Sequence, residues 1–219
     1  MRAQREALLL EIYEKLFAAF GPQHWWPAQT PFEVILGALL AQNTAWKNAA
    51  AAIANLEKNG LLHFEALCSL DGPHLEALIR PSGFYRQKAT RIMAFCDHLQ
   101  KKHHGCLEQF LAQDMEPLRR ELLTIRGIGP ETADSIVLYA AFRPSFVVDA
   151  YTWRIFSRHA WIEENISYDD LREYFMEALE PDVATFQEFH ALLVRTGHLY
   201  CRKKPLCPMC PLGVYLNAW

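Results

Sequence analysis

Between two stretches of helical hydrophobic spacing lies Ile125-Arg126-Gly127-Ile128-Gly129-Pro130-Glu131-Thr132-Ala133, and it limits the fold more than any other segment. Glycine accepts backbone angles closed to residues with a side chain, so a Gly-x-Gly step lets two helices meet at a sharp turn. Pro130 suits the first position of the second helix, where no amide donor is needed. The uncommitted amides around that start point outward with the positive end of the helix dipole, a geometry that suits a phosphate oxygen. An ordinary helix-to-helix connection would leave the same pattern. Downstream, Thr132, Ala133, Ile136, Val137, Ala140 and Ala141 recur at helical spacing, so one face of the second helix is expected to be buried.

Helical spacing dominates the rest of the chain. Leu8, Ile12, Leu16 and Phe17 mark a first helix, and 32–40 is apolar almost all round, as a central buried helix is. Further helices are expected near 45–57, 73–80, 84–103, 116–125, 130–142, 150–160, 168–179 and 183–199. No strand alternation persists, and no low-complexity segment or internal repeat interrupts the pattern. The expected fold class is all-α.

With 219 residues, 51% of them hydrophobic, the chain can bury a sizeable core as one unit or two small lobes. A net charge of −3 does not announce a nucleic-acid binder, so any such binding needs a local basic face. Arg80, Arg86, Lys88 and Arg91 form one candidate group; Arg195, Arg202, Lys203 and Lys204 form another. No apolar run reaches the ~20 residues that span a bilayer, which leads to the expectation of a cytoplasmic protein, nucleoid-associated in a bacterium. Six cysteines without a secretory signal argue against a disulfide framework.

Three further features carry chemistry. The apolar segment Phe146-Val147-Val148 delivers Asp149 to the start of a helix marked by Trp153, Ile155 and Phe156, where an aspartate is a good N-cap. Gln23-His24-Trp25-Trp26-Pro27 places two tryptophans before a helix, where they must pack or bind. With Trp46, which follows Gln42-Asn43-Thr44-Ala45, they could wall an aromatic slot that favours a cationic ring by ~1 kcal/mol or more. Cys201, Cys207 and Cys210 form C-x5-C-x2-C, a spacing that lets thiolates converge on a metal, with Arg202, Lys203 and Lys204 on the intervening loop.

Taken in order, a helix, a Gly-hydrophobic-Gly hairpin, a second helix and an aspartate after an apolar segment resemble the helix-hairpin-helix DNA glycosylases, the superfamily of endonuclease III. The resemblance implies two helical lobes flanking a DNA-binding cleft: a central lobe over 28–135 carrying the hairpin, and a discontinuous lobe of 1–27 plus 136–219. It implies that Gly127, Ile128, Gly129 and Thr132 grip DNA phosphate and that Asp149 assists cleavage between base and sugar. Endonuclease III carries a lysine just after the hairpin, where this chain has Glu131. A carboxylate cannot form an imine, so the resemblance implies a monofunctional glycosylase that leaves an abasic site.

The pattern narrows further. Trp25-Trp26-Pro27, Phe32-Glu33, Leu36-Gly37-Ala38, Gln42-Asn43-Thr44 and 81–89 are similar to the bacterial 3-methyladenine DNA glycosylase III group over roughly residues 25 to 200. That likeness implies alkylated purines as substrates, with Trp25, Trp26, Pro27 and Trp46 stacking on the base. It puts Gln42, with Asn43, at the gap left in the duplex, and Phe84 as an apolar wedge. Core packing is the plain alternative for Phe84. Damaged double-stranded DNA is the implied partner and a monomer the expected state. Endonuclease III also implies a 4Fe-4S cluster, but its fourth cysteine falls at Leu216. That leaves a cluster with an incomplete cysteine set, a zinc ion or a loop without metal, while Cys68, Cys96 and Cys106 read as core cysteines. Two other functions stay open: an endonuclease III-like glycosylase for damaged pyrimidines with lyase activity, using another amine such as Lys47 or Lys88, and a noncatalytic DNA-binding module.

Overall fold

The computed structural model describes residues 2–217. Twelve α-helices follow one another among them: α1 (Arg2–Phe20), α2 (Pro31–Ala41), α3 (Trp46–Lys58), α4 (Phe64–Cys68), α5 (Gly72–Leu78), α6 (Tyr85–His103), α7 (Leu107–Leu111), α8 (Met115–Thr124), α9 (Pro130–Ser135), α10 (Ala150–Arg158), α11 (Tyr168–Met176) and α12 (Val183–Leu199). The described residues contain no strand, and the fold is all-α. Each helix foreseen in the sequence is present. Two short ones, α4 and α7, were not foreseen, because five residues do not complete a second turn and so show no periodicity. Short 3₁₀ turns lie at Arg80–Ser82, Cys207–Met209 and Gly213–Asn217, and a π-helical turn at Ile136–Ala140.

The chain divides into two compact units, one of Trp26–Arg143 and one of Met1–Trp25 with Pro144–Trp219. In the first, α2 is the central rod. Phe32, Val34, Ile35, Leu36, Gly37, Ala38, Leu39 and Leu40 are all buried, as a helix apolar on every side requires. Thr30 caps it by accepting from the Glu33 amide, and the Glu33 carboxylate accepts from the Gln29 amide. At its other end the carbonyl of Leu40 accepts from Lys88 Nζ at 2.8 Å, a cation where the helix dipole is negative.

The terminal unit is built on α12, which packs on α1 and α10. The apolar stripe of α1 is Leu9, Ile12 and Leu16; Phe17 lies outside it and is exposed, because burial follows the i, i+3, i+7 row rather than every apolar position. An aromatic cluster fills the middle: Phe146 stacks on Phe175 at 4.0 Å between centroids and meets Phe186 and Phe189 edge-on. Gly197 lets α10 approach α12, for a Cβ there would stand 2.3 Å from the Tyr151 ring. No described helix is long and apolar enough to cross a membrane.

Candidate functional site

The hairpin lies between α8 and α9, and its turn is fixed from inside and outside. Ile128 donates to the carbonyl of Ile125 at 3.0 Å and buries its side chain, while Gly127 and Gly129 remain exposed. Gly127 sits at φ +91, in the region that excludes most side chains. It also has no room for one, since a Cβ would fall 2.3 Å from Arg91 Cγ.

A polar clamp sets the hairpin's position. The amide nitrogen of Gln42, the residue that ends α2, donates to the Gly127 carbonyl at 3.1 Å and to Thr132 Oγ1 at 2.8 Å. Its amide oxygen accepts from Arg91 Nη1. Gln42 thus holds the turn, a use that sequence reading missed because its partners lie 85 and 90 residues away. A second clamp spans the hairpin: Arg119 of α8 donates through Nε and Nη2 to both oxygens of the fully buried Asp134 of α9, at 2.9 and 3.2 Å. Glu131 stands exposed in the first turn of α9, a place that suits a negative charge.

In the same unit Trp26, Trp46 and Tyr139 form an aromatic corner. The Trp26 ring meets Trp46 edge-on at 5.3 Å and Tyr139 at 5.3 Å with a 57° tilt. Trp26 rests on Gly37 of α2, where a Cβ would come within 3.0 Å of its indole nitrogen. Tyr139 was not anticipated. It belongs to a π-helical turn, Ile136–Ala140, closed by the Ala141 amide on the Ile136 carbonyl, so α9 does not continue as a regular helix to 142. Pro27 is exposed beside the corner, and Trp25 falls in the other unit.

Asn43 and Phe84 both adopt left-handed backbone, at φ +53 and +47, and both are exposed. For Phe84 this corrects the core alternative: 64% of its surface is open, and a bulky residue at positive φ carries roughly 1–3 kcal/mol of strain. Lys88 calls for a second correction. It is no surface cation, being buried with Nζ donating to the carbonyls of Leu40 and Ser82 at 2.8 and 2.6 Å. Burial, reinforced by Arg91, lowers its pKa to about 8. The first basic group therefore shrinks to exposed Arg80 and Arg86, with Arg91 turned onto Gln42; Arg195, Arg202, Lys203 and Lys204 are all exposed.

In the terminal unit, Asp149 caps α10. Its Oδ1 accepts from the Thr152 amide at 2.8 Å and from the Thr152 hydroxyl at 2.9 Å, and the side chain is half-buried. His190 of α12 lies close enough to feel its charge. Burial nonetheless holds the His190 pKa below its ordinary value, with Asp149 pulling the other way.

These parts, a hairpin between two helices and an aspartate heading a later helix, coincide with a known family. Residues 36–181 match the model of the HhH-GPD superfamily base excision DNA repair proteins. The chain belongs to the HhH-GPD superfamily. A candidate DNA repair glycosylase of Methanocaldococcus jannaschii is 44% identical over 214 residues, covering 97% of each chain. The crystal structure of an H. pylori 3-methyladenine DNA glycosylase bound to 1,N6-ethenoadenine superposes with a TM-score of 0.76 at 28% identity, over 87% of this chain and 97% of that one. A noncovalent endonuclease III–DNA complex shares the fold, with a TM-score of 0.82 at 21% identity over 97% and 95% of the two chains. This HhH-GPD protein is a DNA repair glycosylase.

Its cysteine loop departs from the endonuclease III pattern. Cys201, Cys207 and Cys210 line one small cavity of about 20 Å³ together with Leu216, Leu212 and His159. Leu216 occupies the place of a fourth ligand and offers only hydrocarbon, so the residues present do not fit a four-thiolate cluster. Arg158 Nη1 approaches Cys201 Sγ at 3.3 Å. Burial raises the Cys210 thiol, and the neighbouring Cys201 and Cys207 raise it further. Among the other cysteines, Cys96 is buried and shares a hydrogen bond with half-buried Cys68, which together with burial holds its pKa up. Cys106 corrects the core expectation: it is exposed, in the bend between α6 and α7.

Proposed function

We propose that this HhH-GPD protein is a monofunctional DNA glycosylase that hydrolyses the N-glycosidic bond of alkylated purines such as 3-methyladenine in duplex DNA. The carrying observation is the aromatic corner of Trp26, Trp46 and Tyr139 on the bare backbone of Gly37. Electron-rich ring faces attract a cationic base more than a neutral one, by about 0.5–2 kcal/mol according to desolvation. Trp25 and Pro27 flank this corner in sequence and are assigned to the same stacking group. The H. pylori relative, whose crystal structure holds a modified adenine, supports a purine substrate.

In this reading the amides of Gly127, Ile128 and Gly129, with Thr132, hold a backbone phosphate, and Gln42 with Asn43, together with exposed Phe84, supports the duplex where the base has left it. Phe84 is the apolar wedge. Asp149 keeps Oδ1 on Thr152 and presents Oδ2 to the sugar. As the glycosidic electron pair departs with the base, that carboxylate stabilises the positive charge on the sugar and then takes a proton from the attacking water. The products are the free base and an abasic site. Glu131, with no amine, supports hydrolysis without strand cutting. No step uses the Cys201, Cys207, Cys210 loop, which we read as a degenerate cluster loop.

The test is base release in parallel from duplexes carrying 3-methyladenine, 7-methylguanine, uracil and thymine glycol. Release of the methylated purines, with nicks appearing only after alkali and no adduct trapped by borohydride, is expected. Thymine glycol release with a trapped adduct would instead establish the endonuclease III-like activity, and no release from any duplex would leave a binding module.

A further inference from the structure

Away from the hairpin and the aromatic corner, the Trp26–Arg143 unit brings three metal-binding side chains together. His98 Nε2 lies 2.8 Å and His103 Nε2 2.7 Å from the same oxygen, Oε1, of Glu121. These three atoms all lie within 4.8 Å of one another, the one such trio of histidine, cysteine or acidic ligand atoms among the described residues. The three side chains are only 14%, 14% and 18% exposed.

The arrangement is built rather than fortuitous. On a regular helix, residues five apart point about 140° away from each other. His103 nevertheless faces His98, where α6 ends in a widened turn: His104 enters the left-handed region at φ +52, and the amides of His104 and Gly105 both close on the Leu99 carbonyl. Phe110 packs against both imidazoles, at 6.3 and 5.1 Å between centroids. The far oxygen of Glu121, Oε2, accepts from Gln113 Nε2 at 2.8 Å, and Gln113 Nε2 also reaches the Phe110 carbonyl at 3.1 Å. A ligating carboxylate is usually hydrogen-bonded from behind as Glu121 is, and the Phe110 ring packs on both imidazoles.

We propose that His98, His103 and Glu121 form a binding site for one first-row divalent cation of the zinc class. Two imidazoles and a carboxylate make a borderline N/O donor set that suits zinc, cobalt or nickel over magnesium or calcium, with a further position for water. Binding takes Nε2 of each ring as ligand, which requires the neutral imidazole with its proton on Nδ1. Tetrahedral ligand-to-metal distances of about 2.0–2.2 Å put ligand atoms roughly 3.4 Å apart, so each imidazole nitrogen has to draw back from Glu121 Oε1 by about half an ångström or slightly more. The cation would tie the end of α6 to α8, the helix that leads directly into Ile125 and the hairpin.

Cobalt(II) alone is the probe, titrated into the full chain after treatment with chelator, because its visible spectrum separates N/O ligation from thiolate ligation at the cysteine loop. One equivalent with ligand-field bands and no thiolate charge-transfer band is expected, unchanged in C201S/C207S/C210S and lost in H98Q/H103Q. Gln113→Ala, which leaves all three ligands in place, is expected to weaken cobalt binding about 10–100-fold. Parent protein that takes up no saturating cobalt, or cobalt that follows the cysteines, overturns the site. So does binding of parental tightness in both H98Q/H103Q and Gln113→Ala.

Discussion

Asp149 has two tasks that a single substitution can separate. As an N-cap it receives two bonds from Thr152, and in the proposed reaction it answers the charge on the sugar. Asparagine caps a helix as well as aspartate does but carries no charge. Asp149→Asn is therefore expected to lower base release about 10²–10⁴-fold while the melting temperature and the affinity for damaged duplex stay near the parent values. Single-turnover release, calorimetry and a gel-shift titration would measure the three; a fully active asparagine variant would remove Asp149 from the chemistry. Asp149→Ala is expected to lose the cap as well, about 1 kcal/mol. The position of Asp149 was readable because an apolar segment and a helix start flank it. Half of what makes Gly127 necessary was not readable: its positive φ follows from a Gly-x-Gly turn, whereas the press of Arg91 against it depends on a residue 36 positions earlier.

Among the helices, legibility followed length. The 19-residue α6 and 17-residue α12 show several turns of periodicity, and their sequence-read limits fall within a residue of the observed ones. The five-residue α4 and α7 show none. The π-turn after α9 was equally hidden, since Ile136, Val137 and Ala140 are buried either way. What joins the helices around the hairpin is polar and nonlocal: the Gln42 clamp and the Arg119–Asp134 pair. A buried carboxylate that loses its guanidinium partner typically costs about 3–5 kcal/mol. Arg119→Met is expected to fall in that range by urea unfolding, and to weaken duplex binding more than base stacking, because it loosens α8 against α9. A loss below about 1 kcal/mol would show that the pair contributes no more than a surface ion pair does. At the aromatic corner, Gly37→Ala puts a methyl 3.0 Å from the Trp26 indole. Trp26 must then tilt, and the expected result is a larger loss of activity on 3-methyladenine than of overall stability, read by base release and thermal melting side by side.

Over the whole molecule, a net charge of −3 leaves duplex binding to backbone amides and a few exposed cations, and it places the pH response in single buried groups rather than in a general field. His190 is the clearest of these in the terminal unit, buried in α12 between the core and Asp149. Its folded pKa lies below the ordinary 6.5, so by about pH 8 both folded and unfolded chains hold it uncharged and it contributes no slope. As pH falls through 6.5 the unfolded chain takes up a proton that the native chain refuses, and stability is lost with it. One proton sets the limit of that loss at about 1.4 kcal/mol per pH unit. Urea midpoints measured from about pH 8 to about pH 5 are expected to fall below the ordinary histidine value in the parent and to fall less steeply in His190→Gln. Glutamine keeps a polar group in the cavity but cannot titrate. Parallel curves for the two proteins would mean that His190 takes up its proton in the folded state as readily as in water, with Asp149 offsetting burial. The aspartate assigned to the sugar would then face an imidazolium below about pH 6.5 and a neutral ring above it.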